Sequence, residues 1–412
     1  MKNLVIILVI SLPLMLSCNI KSKTNLEKKA AKIHETVLTV DSHCDTPMRL
    51  VRSDYDISQY HDPQKRRSGK VDLPRMKQGG LDAEFFAVFL GQGERTPEGY
   101  EEVRKQTSEI FDAIHKMCQD HSELVELALN PDDAYRIEKT GKRIAFIGIE
   151  NGYPIGKDIS YVKKYYDRGA RYITLCHTRN NDICDSSTDR NGSEHNGLSD
   201  FGREVVAEMN RLGMMVDVSH ISDDSFYDVI ETSETPVIAS HSCVRSICDS
   251  PRNLTDDMIK KLAKNGGVLQ ICFLSSYLKN IESNSEFEKA LQELREKYGD
   301  WSEVKSDSIR KIMREEYYSI REKFPQEQAT VQDVVDHIDY VVKLVGINYV
   351  GVGTDFDGGG GIDGCNEVSE MGNVTLELVK RGYTKEEIRK IWGGNIMRVF
   401  NEVIDAAGKV KD

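Results

Sequence analysis

Eight short apolar or β-branched runs alternate with longer helical patterns along this chain, and that alternation predicts an α/β protein with a parallel sheet closed as a (β/α)8 TIM barrel. Two further observations favour a closed barrel over an open, doubly wound sheet. The eight repeats fill roughly 370 residues, the scale of a barrel with insertions. Ionisable residues also gather directly after the runs, where a parallel barrel carries its chemistry.

The runs are Val37 to Val40, Ala83 to Leu90, Arg143 to Ile149, Tyr172 to Cys176, Met214 to Val218, Pro236 to Ala239, Val268 to Phe273 and Tyr349 to Gly353. Helical patterns between them include Ser199 to Arg211, Ser222 to Thr232, Thr255 to Lys264 and Val331 to Leu344. Ser199, Ser222 and Thr255 stand in capping positions, where a side-chain oxygen can take up the first free N–H groups of a helix. The alternation fails between the seventh and eighth runs. Residues 279–330 are dense in Glu, Lys and Arg and poor in strand formers, which predicts an inserted pair of charged helices; a lid over the barrel mouth is the competing reading. Gly358 to Gly361 lacks the Lys-Ser/Thr of a phosphate-binding loop and reads as a flexible loop. One catalytic-size domain is expected over residues 33–406.

Composition narrows the partners. Lys and Arg number 55 against 67 Asp and Glu in 412 residues, a net charge of -12 with no basic stripe to offset it, so duplex nucleic acid is excluded. With 39% apolar and 30% charged residues, a large core under a solvated surface is expected rather than disorder. The nine cysteines include no CxxC pair, so neither a disulfide scaffold nor a zinc-finger array is indicated, and no disulfide is assigned.

Lys2 precedes a thirteen-residue apolar run, Leu4 to Leu16, broken by Ser11 and Pro13 and followed by Ser17 and Cys18. Such a run is too short for a membrane-spanning helix and has the flanks of a secretory signal. The small residue before a cysteine resembles a bacterial lipobox. Residues 1–18 are therefore expected to be a lipoprotein-type signal peptide, Cys18 the lipidated residue, and 19–32 a polar tether. An ordinary signal cut elsewhere is the alternative. Either way the domain is expected outside the cytoplasm, on the periplasmic or cell-surface side of a bacterial membrane.

The residues that follow the runs are unevenly distributed. Asp41-Ser-His43-Cys-Asp45 follows the first, Glu150 the third, His177 the fourth, His220 the fifth, His241 the sixth and Asp355 the eighth; four of the ten histidines thus share one kind of position. In an extended segment residues two apart face the same side, so the His43 imidazole and the Asp45 carboxylate can meet one cation. Glu150 ends a very apolar strand and is either an ion-paired rim carboxylate or a bridge between two cations. His220 and His241 end neighbouring strands, close enough to share an ion. Together these five fit a site for two metals about 3.5 to 4 Å apart, with nitrogen and oxygen ligands suited to Zn²⁺. Such a pair can hold a hydroxide at neutral pH and polarise a carbonyl, and hydrolysis is the reaction class that follows.

The motifs Asp-Ser-His43-Cys-Asp45-Thr-Pro, Ile-Gly-Ile-Glu150-Asn-Gly, Leu-Cys-His177-Thr, Val-Asp-Val-Ser-His220-Ile-Ser, Pro-Val-Ile-Ala-Ser-His241-Ser with Pro-Arg252-Asn, and Gly-Val-Gly-Thr-Asp355-Phe-Asp357-Gly together resemble the membrane (renal-type) dipeptidases of the amidohydrolase-like barrels. The likeness runs from about Val37 to Val403. It implies two Zn²⁺ ions per chain, one held by His43, Asp45 and Glu150 and the other by Glu150, His220 and His241. It also implies that His177 stabilises the oxyanion, Asp355 carries protons to the leaving amine, Arg252 clamps the substrate carboxylate, and Tyr277 lines the binding site. Without the family, Arg252 reads as a surface arginine near the helix that starts at Thr255, and Asp357 competes with Asp355 for the acid role.

The implied activity is zinc-dependent hydrolysis of dipeptides, including those with a C-terminal D-residue. A homodimer and membrane association through a lipid anchor at Cys18 are the expected partnerships. One rival is another binuclear amidohydrolase acting on a cyclic amide or lactone; those usually bridge their metals with a modified lysine on strand four, where this chain has Cys176-His177. The other is a non-catalytic lipoprotein that binds zinc or peptides, for which His177 and Asp355 would be superfluous.

Overall fold

The computed structural model describes residues 24–409 except 53, 283, 300–303 and 305. The expected signal peptide and Cys18 lie outside the described residues. The strands are β1 (Val40–Cys44), β2 (Ala83–Phe89), β3 (Val125–Leu127), β4 (Arg143–Glu150), β5 (Ala170–Thr174), β6 (Met215–Asp217), β7 (Ile238–Ser242), β8 (Val268–Ile271) and β9 (Val350–Val352). All pairings between them are parallel, in the order β1-β2-β4-β5-β6-β7-β8-β9, with β3 a short extra strand on β4. The sheet closes just past β9, where the Asp355 N–H donates to the His43 carbonyl (3.0 Å) and the Asp45 N–H to the Phe356 carbonyl (2.8 Å). The expected (β/α)8 barrel is therefore present.

Strand β4, RIAFIGIE, is buried along nearly its whole length, as a parallel strand between a filled barrel and a helical coat must be. Inside the barrel Val40, Phe85, Phe146, Tyr172, Ile238 and Val268 form one cluster, and Phe400 and Val403 of the helix Asn395–Lys409 belong to it. A Cβ on Gly148 would lie 2.0 Å from the Tyr172 ring, so only glycine leaves room for that ring in the barrel. The helices Asp200–Leu212, Asp223–Thr232 and Asp256–Asn265 start where expected, with Ser199, Ser222 and Thr255 accepting from the N–H three residues on.

Two differences from the sequence reading have physical causes. The first strand begins where its apolar run ends, because Asp41, Ser42 and His43 find buried polar partners inside the barrel; Ser42 Oγ, for example, donates to the Ser240 carbonyl at 2.6 Å. Residues 24–34, most of them expected within the tether, form a helix that buries Ala30 and Ile33, so chain read as polar linker is packed against the domain.

The charged insertion between β8 and β9 contains the helices Ser285–Tyr298 and Asp307–Lys323. It leans on the loop after β1. Arg66 and Arg67 both pair with Glu315, and the Arg66 guanidinium lies 5.2 Å from the Tyr318 ring centroid. Among the described residues no helix is long and apolar enough to cross a membrane.

Candidate metal centre

Glu150 closes β4 and turns both carboxylate oxygens into a ring of imidazoles at the mouth of the barrel. Its Oε1 lies 3.1 Å from His220 Nε2, 3.5 Å from His241 Nε2 and 3.6 Å from His177 Nε2, while Oε2 lies 3.5 Å from His43 Nε2. Ligand atoms of His43, Glu150 and His241 lie within 4.8 Å of one another, as do those of Glu150, His177 and His220, and those of His43, Asp45 and Asp355. All five residues expected to hold metal thus converge, drawn from β1 and the residue after it, from β4 and β7, and from the loop after β6. The grouping is broader than expected, because His177 and Asp355 also come within ligand range.

The backbone pays for this convergence. Asn151, His220, Asp355 and Asp357 have φ of 80°, 71°, 59° and 65°, so four of the six described non-glycine residues with positive φ flank this centre. Such conformations cost about 1–3 kcal/mol each and persist where the surroundings enforce them. Gly358 is part of the enforcement: a Cβ there would sit 2.1 Å from Asp355 Oδ1 and 2.4 Å from Asp45 Oδ2. The N–H groups of Gly358, Gly359 and Gly360 all donate to the Asp355 carbonyl, which makes this glycine run a tight wrap around Asp355 rather than the flexible loop expected.

Two histidines are held in the ligand tautomer by groups that sequence reasoning did not single out. The Tyr172 hydroxyl donates to the Ser42 carbonyl (3.2 Å) and therefore accepts from His43 Nδ1 (2.8 Å). The Ser240 hydroxyl donates to Asp217 (2.6 Å) and therefore accepts from His241 Nδ1 (2.8 Å). Both arrangements point Nε2 toward Glu150 and leave it as the atom that can ligate a cation. Asp217 also accepts from Thr174 Oγ1 and from the Ser219 and Ser240 N–H groups, so this carboxylate braces three strands at once. Asp41 does the same on the other flank, accepting from the Thr354 N–H and hydroxyl. The signal for both was available: an Asp within or directly after an apolar run, two or three residues before a histidine.

The donor set fits cations. His43 Nε2, Asp45 Oδ1 and His220 Nδ1 are buried without any hydrogen-bond partner, a cost of about 1–3 kcal/mol each that a bound cation offsets for the donors facing it. Charge balance points the same way. Burial lowers the His43 pKa, but the charges of Glu150, Asp45 and Asp355 outweigh burial and lift it to about 10. Burial and the His43 charge push His241 down to about 3. Burial raises Asp355 to about 7, and burial with the Glu150 charge raises Asp45 well above the carboxylate range. Glu150 is held well below that range because His43 and His177 outweigh its own burial. Three carboxylates thus meet mainly neutral imidazoles, and positive charge is short.

Arg252 is buried, which overturns its reading as a surface arginine. Its Nη2 donates to the His241 carbonyl (3.0 Å) and Nη1 to Ser242 Oγ (3.2 Å), while Nε is buried with no partner. The Tyr277 ring lies beside it, 5.2 Å from the guanidinium carbon. Asp357 is occupied elsewhere, accepting from Arg49 Nε (2.7 Å), Thr46 Oγ1 (2.8 Å) and the Lys70 N–H (3.1 Å), which leaves Asp355 as the carboxylate facing the cluster.

The Asp217→Asn variant is expected to lower cation affinity about 10- to 100-fold without removing a ligand, because His241 loses the anchor of its tautomer. Competition with a metallochromic chelator measures this.

The membrane dipeptidase family (Peptidase family M19) matches residues 27–412. Dipeptidase tcpJ of Claviceps purpurea is 31% identical over 378 residues, 90% of this chain and 78% of that protein. Dipeptidase ataJ of Aspergillus terreus is 30% identical over 362 residues, 82% of this chain and 78% of that protein. Among solved structures, the probable dipeptidase PvdM of Pseudomonas aeruginosa superposes with a TM-score of 0.79 at 31% identity, covering 93% of this chain and 99% of that one.

Proposed function

The chain belongs to the membrane dipeptidase family and is a metal-dependent dipeptidase, and from that premise we propose that two zinc ions would be held at this cluster, with Glu150 serving both sites. His43 and Asp45 complete one site, and His220 and His241 the other. The observation that carries this reading is the placement of both Glu150 oxygens against imidazole Nε2 atoms in a buried cluster short of positive charge. When bound, such cations supply Lewis-acid activation of water and of the scissile carbonyl.

The protein's own groups divide the remaining work. Arg252 takes the substrate carboxylate through its unpartnered Nε, and the Tyr277 ring helps fix the fork. That clamp and the buried cluster limit the substrate to two residues, since the carbonyl next to the clamped residue is the one brought to Glu150. His177, half-buried at the mouth with its ring edge-on to Phe89, donates toward the carbonyl oxygen as negative charge develops there. Asp355 takes a proton from the attacking water and passes it to the leaving amine; its raised pKa suits both tasks near neutrality. The leader ending at Ser17-Cys18 supports display outside the cytoplasm on a lipid anchor at Cys18.

A panel of L,L and L,D dipeptides, tripeptides and lactones tests the assignment before and after chelation. Chelator-sensitive cleavage confined to dipeptides is expected. Lactone turnover, or zinc binding without turnover, would overturn it.

The cation-free protein is expected to lose stability as the pH rises from about 7 to 10. The His43 pKa is raised in the folded state, so its contribution is complete below the unfolded value of 6.5 and disappears as pH climbs through about 10. Cation-loaded protein needs no proton on His43 and should hold its Tm across this window. Thermal melts with and without chelator at pH 7 and 10 check both halves.

A further inference from the structure

The segments that follow β2 and His177 line a second polar feature that the reaction does not use, an open cavity of about 380 Å³. Half of its lining comes from residues 189–194; its other walls are the segment after β2, with Gln92, Gly93 and Arg95, and the segment two residues past His177, with Arg179 and Asn180. These segments flank β4, because β2 and β5 pair with its two sides and β4 ends in Glu150. Asn151 Nδ2 bonds the Leu90 carbonyl (2.9 Å) and approaches Gln92 Oε1 (3.4 Å), so the wall is tied directly to the residue after Glu150.

The charges lining this cavity are not equivalent. Arg95 is neutralised by Glu194 at 2.7 Å. The Asp189 oxygens are taken by the backbone N–H groups of Asn180 (2.7 Å) and Asn191 (2.8 Å), which shape the loop. Arg179 is exposed and, among the described residues, makes no hydrogen bond or ion pair. A planar guanidinium without a partner, two residues past His177 and lining an open cavity, matches a carboxylate.

We propose that Arg179 is a specificity determinant that selects dipeptides whose amino-terminal residue carries an acidic side chain. The assignment rests on the dipeptidase reading. With the substrate carboxylate at Arg252, after β7, and the scissile carbonyl at Glu150 and His177, the amino-terminal residue is the one whose side chain leaves the cluster beside β2 and β5. A Glu or Asp side chain there meets Arg179, whereas a Lys or Arg side chain meets a like charge.

The test compares kcat/KM for Glu-Ala, Gln-Ala, Lys-Ala and Ala-Ala in the wild type, Arg179→Gln and Arg179→Glu. The wild type is expected to favour Glu-Ala over Gln-Ala by about tenfold or more, the scale of one charge-assisted hydrogen bond. That ratio should fall to near one in Arg179→Gln and reverse toward Lys-Ala in Arg179→Glu, with Ala-Ala cleavage retained throughout. Calorimetry of Glu-Ala and Gln-Ala on the cation-loaded Asp355→Asn protein, with and without Arg179→Gln, reads the same preference without turnover. Equal handling of Glu-Ala and Gln-Ala by the wild type, or a preference unchanged by Arg179→Gln, would overturn the proposal while leaving the dipeptidase reading intact. An Arg179-dependent affinity difference with no dipeptide cleaved by the wild type would support the pocket and sink the dipeptidase reading.

Discussion

Glu150→Gln is expected to lose bound cation and catalysis together, with kcat/KM falling by about 10³ to 10⁴, the several kcal/mol that Lewis-acid stabilisation supplies. Glutamine has nearly the same volume, so the barrel packing around residue 150 need not change. What changes is chemistry: one of two oxygens becomes an N–H₂ group facing His Nε2 atoms, and the negative charge disappears. The four imidazoles within 3.1–3.6 Å of the carboxylate then have no common anion. Metal content per chain and dipeptide turnover, with circular dichroism to confirm the fold, measure the effect. A variant that keeps its full metal complement and its rate would show Glu150 to be a buried structural carboxylate.

Asp355→Asn is expected to separate what Glu150→Gln removes together. Asparagine tolerates the left-handed backbone of this position, φ 59°, and preserves the shape of the side chain. It cannot accept and return a proton at neutral pH, so kcat should fall about 10²- to 10⁴-fold, the usual yield of general acid–base catalysis. Cation content should stay near wild type, because Glu150, Asp45 and the four histidines around Glu150 are untouched. Since Asp355 also lies within ligand range of His43 and Asp45, the contrary result is informative. Loss of one cation in this variant would make Asp355 a ligand and leave the proton shuttle to another group.

Much of this architecture can be read from the sequence because burial and chemistry coincide at the strand ends. A run such as Arg143 to Ile149 must be buried on both faces, so an ionisable residue directly after it marks the rim of the sheet, and Glu150 stands at that rim. The same logic misplaces β1. There the buried residues are Asp41, Ser42 and His43, whose partners Thr354, Ser240 and Tyr172 lie 129 or more residues away, and no local pattern encodes those pairings. The short strand β3 is not legible in the sequence because Val-Glu-Leu has too few residues to show a period. Arg252 illustrates the limit from the other side. Its spacing to a helix cap suggests the surface, and only folding of the segment after His241 turns it inward onto the His241 carbonyl. The glycine run from Gly358 looked loose for the same reason, since the Asp355 carbonyl it wraps cannot be inferred from composition.

The most direct measurement is anomalous diffraction at the zinc edge from crystals of the purified protein. Two peaks are expected about 3.5 to 4 Å apart, each about 2.0 to 2.2 Å from one oxygen of Glu150. A single peak, or peaks that Glu150 does not touch, would contradict it.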